Sequence, residues 1–363
     1  SRGTPQLYSS GKLLLQSPVL CNLLANADIG GILYFSAPEN GVARTHFFGS
    51  IARLLYLKLR ETDMDVRYDT FRSFMAPLAR KGEAFAANGV QSEEAMRALV
   101  GWARDLRGVA IATRLREHYD LFYEWLFPRH ISILHAGMKH WNAVPAVTTP
   151  ILKFFSDIVH NRAHRIVFPP SSAGGIILFR SASAMIVEYC ESAMRRFSQG
   201  AVGGDLYRHH YKGVMVCMDI LTHLLIGSYV NFGIFELYGD KALESARTYC
   251  LRMCLEGESK DLLAFPKVAS SFFSFVEALS SKCVHSLVML PSPAFVRLLQ
   301  FIEIGLRRAD DSSSTACGVV DHLVSYRFEC LEAMEKERQN KEETARGILR
   351  SVGAQAAHKA RQE

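Results

Sequence analysis

The sequence predicts an all-α fold made of stacked helical hairpins. Apolar residues recur at the i, i+3/i+4, i+7 spacing of amphipathic helices through most of the chain. Strand-like alternation of apolar and polar residues is confined to two short stretches, around 165–168 and 175–179, and we expect the second to open a helix. Clusters of Pro, Gly, Asp and Ser separate the periodic stretches at fairly regular intervals.

The clearest helical stripes lie in three parts of the chain. They consist of Ala43, Phe47, Phe48, Ile51, Leu54, Leu55 and Leu59, then of Tyr207, Tyr211, Val214, Met218, Leu221 and Leu225, and finally of Phe295, Leu298, Leu299, Ile302 and Leu306. Breakers stand at 38–41, 61–65, 89–92, 128, 145–150, 169–175, 200–204, 239–241, 266, 291–293 and 310–314. Ser92, followed by two glutamates, has the chemistry of a helix N-cap, as do the Asp and Ser residues at 310–314.

The regular spacing of helices and breakers predicts one α-solenoid. Helices of roughly 12–22 residues, paired every 40–50 residues or so, are typical of HEAT and armadillo repeats. No linker-like stretch interrupts residues 10–310, so we expect residues 1–330 to form one array of about six or seven hairpins. Residues 331–363 have mixed charge and few apolar anchors, which predicts a solvated helix that frays into disorder.

Composition excludes several classes of protein. The chain has 363 residues, of which 49% are hydrophobic, and a formal net charge of +6, which argues against a disordered or collagen-like chain. Its 42 Lys and Arg residues are scattered, against 36 Asp and Glu, so we expect no dedicated nucleic-acid binding. The eight cysteines form no CxxC pair, which favours buried, reduced thiols over a disulfide framework.

One apolar run, between Lys212 and Glu236, is long enough to cross a bilayer. Asp219 and His223 lie in its middle, and Gly, Ser and Asn residues interrupt its second half. Because charged groups and helix ends are costly inside a membrane, a buried helix followed by a turn is favoured over membrane insertion. The first residues resemble no signal peptide, and the absence of an initiating Met suggests a piece of a longer chain.

No pattern in the sequence points to catalysis or to a cofactor. GxGxxG, GxxxxGK[ST] and GxSxG are all absent. His160 and His164 have the i, i+4 spacing of a zinc-binding helix but lack the glutamate of HExxH. A polar helix C-terminus is the preferred interpretation, in which Asn161, Arg162 and Arg165 stand at the helix end and the cations face the dipole. Cys250 and Cys254 share a helix face among apolar residues, which indicates a buried pair. We therefore expect no catalytic residue, no cofactor and no metal ligand.

The candidate contact residues are Arg104, Asp105 and Arg107, which interrupt an apolar helix beside Trp102. An Arg–Asp–Arg group can bind a partner, or an adjacent repeat, through forked hydrogen bonds. Bracing between neighbouring repeats is favoured because buried charges require pairing. A second dense segment, GSYVNFGIFELYGD at 227–240, is expected to form an ordered connector that packs under the next hairpin.

These segments also carry a family resemblance. The matching runs are LVGWARDLRGVAIA (99–112), FYEWLFPRHISIL (122–134), TTPILKFFSDIVHNRAHRIVF (148–168), GGIILFRSASAMI (174–186), YKGVMVCMDILTHLLIGSYVNFGIFELYGDKALESA (211–246) and DLLAFPKVASSFFSFVEAL (261–279). In their order and length they resemble the exportin-7 and Ran-binding protein 17 family of the importin-β superfamily, from about Tyr8 to about Phe328.

The resemblance implies a HEAT-repeat superhelix, or karyopherin, that shuttles between nucleus and cytoplasm. Such a receptor binds folded protein cargo cooperatively with Ran-GTP, passes the pore by contacts with Phe-Gly nucleoporins, and performs no chemistry itself. The family's N-terminal Ran-binding region and its last helices have no match here, so the chain resembles a middle-to-late piece. No contact residue is transferred from the family. An α-solenoid scaffold that works without Ran is the alternative function.

Overall fold

Every regular element that the structure describes is a helix. The computed structural model describes residues 16–19, 22, 37, 40–59, 63–199, 205–256 and 262–359, and none of them forms a β-strand. The α-helices are, in chain order, α1 (Gly41–Leu59), α2 (Met64–Asn88), α3 (Glu93–Ala112), α4 (Arg116–Leu126), α5 (Ile131–His140), α6 (Pro145–Val159), α7 (Gly174–Ser198), α8 (Lys212–Ile226), α9 (Gly233–Leu237), α10 (Ala242–Leu255), α11 (Pro266–Val288), α12 (Ser292–Leu306) and α13 (Asp311–Lys359). The all-α prediction is confirmed.

Most helix boundaries fall at the predicted breakers, for identifiable reasons. Ser92 caps α3 as expected, because its Oγ accepts a hydrogen bond from the backbone N–H of Ala95 at 3.1 Å. The break predicted at Pro266 is confirmed, whereas the break predicted over 145–150 extends too far. Pro266 is the first residue of α11, where no intrahelical N–H is needed, and Pro150 lies inside α6, a helix that also begins with a proline.

The strand-like stretches are not strands. Residues 175–179 lie in the first turns of α7, as expected. Residues 165–168 have irregular backbone after a 3₁₀ turn at Arg162–His164, in which Ala163 and His164 adopt positive φ angles of 52° and 54°. Alternation in this short segment reflects the burial of single side chains such as Ile166, which is 1% exposed, and not pairing with another strand.

The chain divides into two compact units, Ser1–Phe275 and Val276–Glu363. Within the first unit, helices α1, α3, α6 and α8 pack on one another in that order, and helices α2, α5, α7 and α10 pack in a parallel series. Each helix of one series also contacts helices of the other, so the two series are the layers of successive helical hairpins. The core lies between the layers, and this arrangement is that of a helical-repeat solenoid.

Two residues of α3 show how closely the helices approach one another. Trp102 is fully buried and donates its indole N–H to the backbone carbonyl of Leu78 in α2, at 3.0 Å. At Gly108 a Cβ atom would lie 2.5 Å from the carbonyl oxygen of Thr45 in α1, so only glycine allows this crossing. The close approach of α1 and α3 therefore depends on the absence of a side chain at Gly108.

The long apolar run between Lys212 and Glu236 is a buried helix followed by a turn, as expected. Helix α8 ends at Ile226, Ser228 adopts a positive φ of 57°, and the short helix α9 begins at Gly233. In the part of the chain that the structure describes, no helix has both the length and the apolar character needed to cross a bilayer. The connector is anchored by Phe235, which is 2% exposed and packs against Phe179 of α7.

In the second unit, α12 packs on α13, and the hydroxyl of Ser280 lies 3.0 Å from Nδ1 of His322. Helix α13 continues from Asp311 through the charged segment as far as Lys359. The boundary predicted at residues 330 and 331 therefore falls inside one helix. Its exposed face carries i, i+4 ion pairs such as Lys341–Glu337, which support a solvated helix.

Candidate partner-binding groove

Asp105, the central member of the predicted Arg–Asp–Arg group, ties three helices together. Its carboxylate is fully buried and accepts hydrogen bonds from Nε and Nη2 of Arg44 in α1, at 2.5 and 2.6 Å. The ammonium of Lys81 in α2 lies 3.9 Å from the same carboxylate. Burial raises the pKa of Asp105, and the hydrogen bonds from Arg44 counteract this effect, so the charge on Asp105 depends on its partner.

Arg107 makes the next connection along the same layer of helices. Its Nε donates to Oδ2 of Asp157 in α6 at 2.7 Å, and Nη2 of Arg162 donates to Oδ1 of the same carboxylate at 2.7 Å. Asp157 is 4% exposed. Asp105 and Arg107 thus make the bracing contacts between neighbouring repeats that the sequence favoured, since the charges are paired across helix seams.

Arg104 has a different environment. Its guanidinium lies against the N-terminus of α1, where a Cβ on Gly41 would fall 0.9 Å from Nη1 of Arg104. Burial lowers the pKa of Arg104, as do the neighbouring charges of Arg44 and Arg107. The glycine at position 41 therefore makes room for an arginine that lines an open groove.

We call this depression the basic groove. It has a volume of about 410 Å³ and lies where the start of α1, the middle of α3, the first turns of α6 and the start of α8 meet. Its lysine and arginine lining residues are Arg104, Arg107, Lys153, Arg208 and Lys212, and His209 lies beside them. Its apolar lining comes from Val42, Pro145, Ala146 and Pro150, and none of the described lining residues is acidic.

Like charges inside the basic groove oppose one another. Burial lowers the pKa of Lys153, and the positive charges of Lys212, Arg107 and Arg104 lower it further, against a smaller opposing effect of Asp157. A site that holds several cations with few counter-charges is stabilised when an anion enters, because the anion reduces the repulsion among the cations. The basic groove is therefore suited to binding negative charge.

Arg165 is the central residue of the neighbouring seam, and it lies at the C-terminus of α6 as the sequence predicted. It is 1% exposed and donates hydrogen bonds to the carbonyl oxygens of Ala110 and Thr113 at the end of α3, and of Asp157 and His160 at the end of α6. One guanidinium thus satisfies carbonyls at two helix C-termini. The contacts at the end of α3 were not predicted, because these acceptors are backbone atoms more than 50 residues away from Arg165.

The predicted helical pair His160 and His164 does not share a helix face. Helix α6 ends at Val159, so His160 follows the helix and His164 lies in the 3₁₀ turn. His160 instead stacks on His223 of α8, with ring centroids 3.8 Å apart. Within the described parts of the chain, no three His, Cys, Asp or Glu side chains are placed to hold a metal ion.

The cysteines cluster in the seam between α7, α8 and α10. Cys190, Cys217, Cys250 and Cys254 are all buried, and Sγ of Cys254 lies 3.4 Å from Sδ of Met218. The expected burial of Cys250 and Cys254 is confirmed. Cys317 is exposed and Cys283 and Cys330 are partly buried, so the predicted burial does not extend to every cysteine. Cys21 lies outside the described residues.

The fold and the paired charges place this chain in the class of helical-repeat proteins. The first unit is an α-helical repeat array whose buried ion pairs lie between repeats, and arrays of this class present extended surfaces. No family model matches the chain. Individual proteins do, and they define the family.

Over 301 residues, or 81% of its length, the chain is 36% identical to Exportin-7-B of Xenopus laevis. It is 36% identical over 305 residues to Ran-binding protein 16 of Drosophila melanogaster, and 29% identical over 342 residues to Exportin-7 of Dictyostelium discoideum. The chain belongs to the family of exportin-7 and the related Ran-binding proteins. It spans 27% of the Xenopus and Drosophila proteins and 33% of the Dictyostelium protein.

Proposed function

We propose that the chain is part of a nuclear export receptor, which carries folded protein cargo from nucleus to cytoplasm together with Ran-GTP. The observation that carries this proposal is the 36% identity, over four-fifths of the chain, to a protein named exportin-7. Related proteins named for Ran binding match the same share of the chain. The receptor works by binding and not by catalysis, and it shuttles through the pore by weak contacts with Phe-Gly nucleoporins.

The architecture supports this proposal physically. In a helical-repeat array each hairpin contacts mainly its neighbours, so small rotations at each seam add up to a change of curvature. If Ran-GTP and cargo favour the same curvature, each raises the affinity for the other by the same factor. The seams that would rotate are those held by Asp105 with Arg44 and by Asp157 with Arg107.

The test is a pull-down with the full-length protein that contains this chain. Immobilised Ran loaded with a non-hydrolysable GTP analogue should retain the protein, and Ran-GDP should not. In a parallel pull-down with Ran loaded with GTP itself, cargo candidates released when the GTP is hydrolysed would support export. Equal retention by both forms of Ran would contradict the proposal.

The alternative function is an α-solenoid scaffold that works without Ran. The two functions differ in how the bound partners respond to Ran-GTP. A set of partners that is unchanged by excess Ran-GTP would favour the scaffold, whereas partners that join or leave with Ran-GTP would favour transport.

A further inference from the structure

We propose that the basic groove binds an acidic segment of a partner protein, with its carboxylates against Lys153 and Lys212 and its apolar side chains against Pro145 and Pro150. This inference goes beyond the export function proposed above and does not depend on it. It rests on the juxtaposition, from four parts of the fold, of five lysine and arginine side chains around one open groove whose lining is partly apolar.

The cations come from separate elements, so the cluster is a product of the fold. Arg104 and Arg107 lie one helical turn apart on α3, and Lys153 lies on α6. Arg208 and His209 lie in a π-helical turn at Tyr207–Tyr211 that leads directly into α8. Single π turns inside helical segments are frequent at functional sites, where they re-aim side chains.

The counter-charges within the described chain leave part of the groove unneutralised. Asp157 pairs with Arg107 at 2.7 Å, and Asp205 pairs with Arg208 at 3.2 Å. In the described ranges Lys153 and Lys212 have no ion pair or side-chain hydrogen bond with a carboxylate. Partial burial lowers the pKa of Lys153, and the neighbouring positive charges of Lys212, Arg107 and Arg104 lower it further.

The lining favours a protein segment over a nucleic acid. Single-stranded nucleic acids bind where bases stack on aromatic side chains, and no Phe, Tyr or Trp lines the basic groove. Val42, Pro145, Ala146 and Pro150 instead offer an apolar surface that suits aliphatic side chains. The volume of about 410 Å³ is within the range of typical ligand sites.

The proposal is tested with the full chain and a short fluorescein-labelled peptide rich in Asp and Glu with one leucine. The control peptide replaces each acid by its amide. Fluorescence anisotropy should show binding of the acidic peptide at low salt, weakening as ionic strength rises, and much weaker binding of the amide peptide. No binding of the acidic peptide at low salt would overturn the proposal.

Two charge-matched double variants locate the site. K153E combined with K212E should raise the Kd of the acidic peptide by roughly tenfold or more, because two contacts become repulsive. K267E combined with K282E makes the same change of net charge at two exposed lysines outside the groove lining, and should leave the Kd nearly unchanged. Equal effects of the two double variants, or no effect of either, would overturn the proposal.

The fold and the ligand class are checked in the same experiment. Circular dichroism and tryptophan fluorescence establish that each variant is folded, and K153Q combined with K212Q replaces the charge reversals if they are not.

A labelled oligouridylate is titrated in parallel. Tighter binding of oligouridylate than of the peptide, with the same sensitivity to K153E and K212E, would overturn the protein-segment proposal in favour of nucleic acid. Peptide binding is measured without Ran, so failure of the export proposal would leave this result unaffected.

Discussion

Replacing Asp105 by Ala is the most direct perturbation of the repeat seams. The change removes a fully buried carboxylate that accepts two hydrogen bonds from Arg44, at 2.5 and 2.6 Å. It leaves the guanidinium of Arg44, whose side chain is 16% exposed, without its buried partner. Lys81, at 3.9 Å and 32% exposed, loses a more distant attraction.

The expected loss follows from these environments. Breaking a buried ion pair by removing one partner typically costs about 3–5 kcal/mol, because the remaining charge is buried without compensation. Arg44 keeps some contact with water, so we expect the lower end, about 3 kcal/mol. Asp105→Leu combined with Arg44→Met removes both charges, and should bring the stability back to within about 1 kcal/mol of the parent chain.

Urea denaturation followed by tryptophan fluorescence measures this effect. The tryptophans of the chain, at 102, 125 and 141, lie in the same unit as the Asp105–Arg44 pair, so the signal reports on that unit. Arg97→Ala, on the same helix, breaks an exposed pair with Glu93 and should change stability by less than about 0.5 kcal/mol. A loss below about 1 kcal/mol for Asp105→Ala would refute the reasoning, as would a double variant no more stable than Asp105→Ala.

Three further predictions concern packing, protonation and helix ends. Gly108→Ala should destabilise the chain by about 1–3 kcal/mol in thermal melts, because the added Cβ would lie 2.5 Å from a backbone oxygen. The control Gly49→Ala, across the same seam, has its nearest contact at 3.4 Å and should be neutral or stabilising. Burial lowers the pKa of His210 to about 4, so protons bind preferentially to the unfolded chain below pH 6.5. The free energy of unfolding should therefore fall by up to about 1.4 kcal/mol per pH unit as the pH drops from 6.5 toward 4. His210→Gln should flatten this slope in urea titrations at several pH values, while the same change at the exposed His46 should not. Arg165→Lys should cost about 3 kcal/mol in the same denaturation assay, since an ammonium cannot reach the carbonyls of two helix ends, and a loss under about 1 kcal/mol would contradict its proposed capping role.

The candidate groove was only partly accessible to sequence reasoning. The group at 104–107 stood out because charges inside an apolar helix must find partners. Which partners they find depends on residues about 50 to 60 positions away, such as Arg44 for Asp105 and Asp157 for Arg107. Lys153 and Lys212 gave no signal in the sequence, because a single lysine in the middle of α6 or at the start of α8 is unremarkable until packing brings both to the groove that Arg104 lines.

Local sequence patterns predict the all-α fold of this protein and most of its helix boundaries. Periodic apolar residues, the cap at Ser92 and the break after Ile226 act over one or two turns, and that range is visible in a sequence. The family, too, follows from residue order alone. The tertiary structure decided which charges brace the seams and which line the basic groove, since both depend on contacts between distant repeats. It also brought Arg165, predicted at the end of α6, to the end of α3 as well, where its acceptors are backbone carbonyls that no residue pattern records.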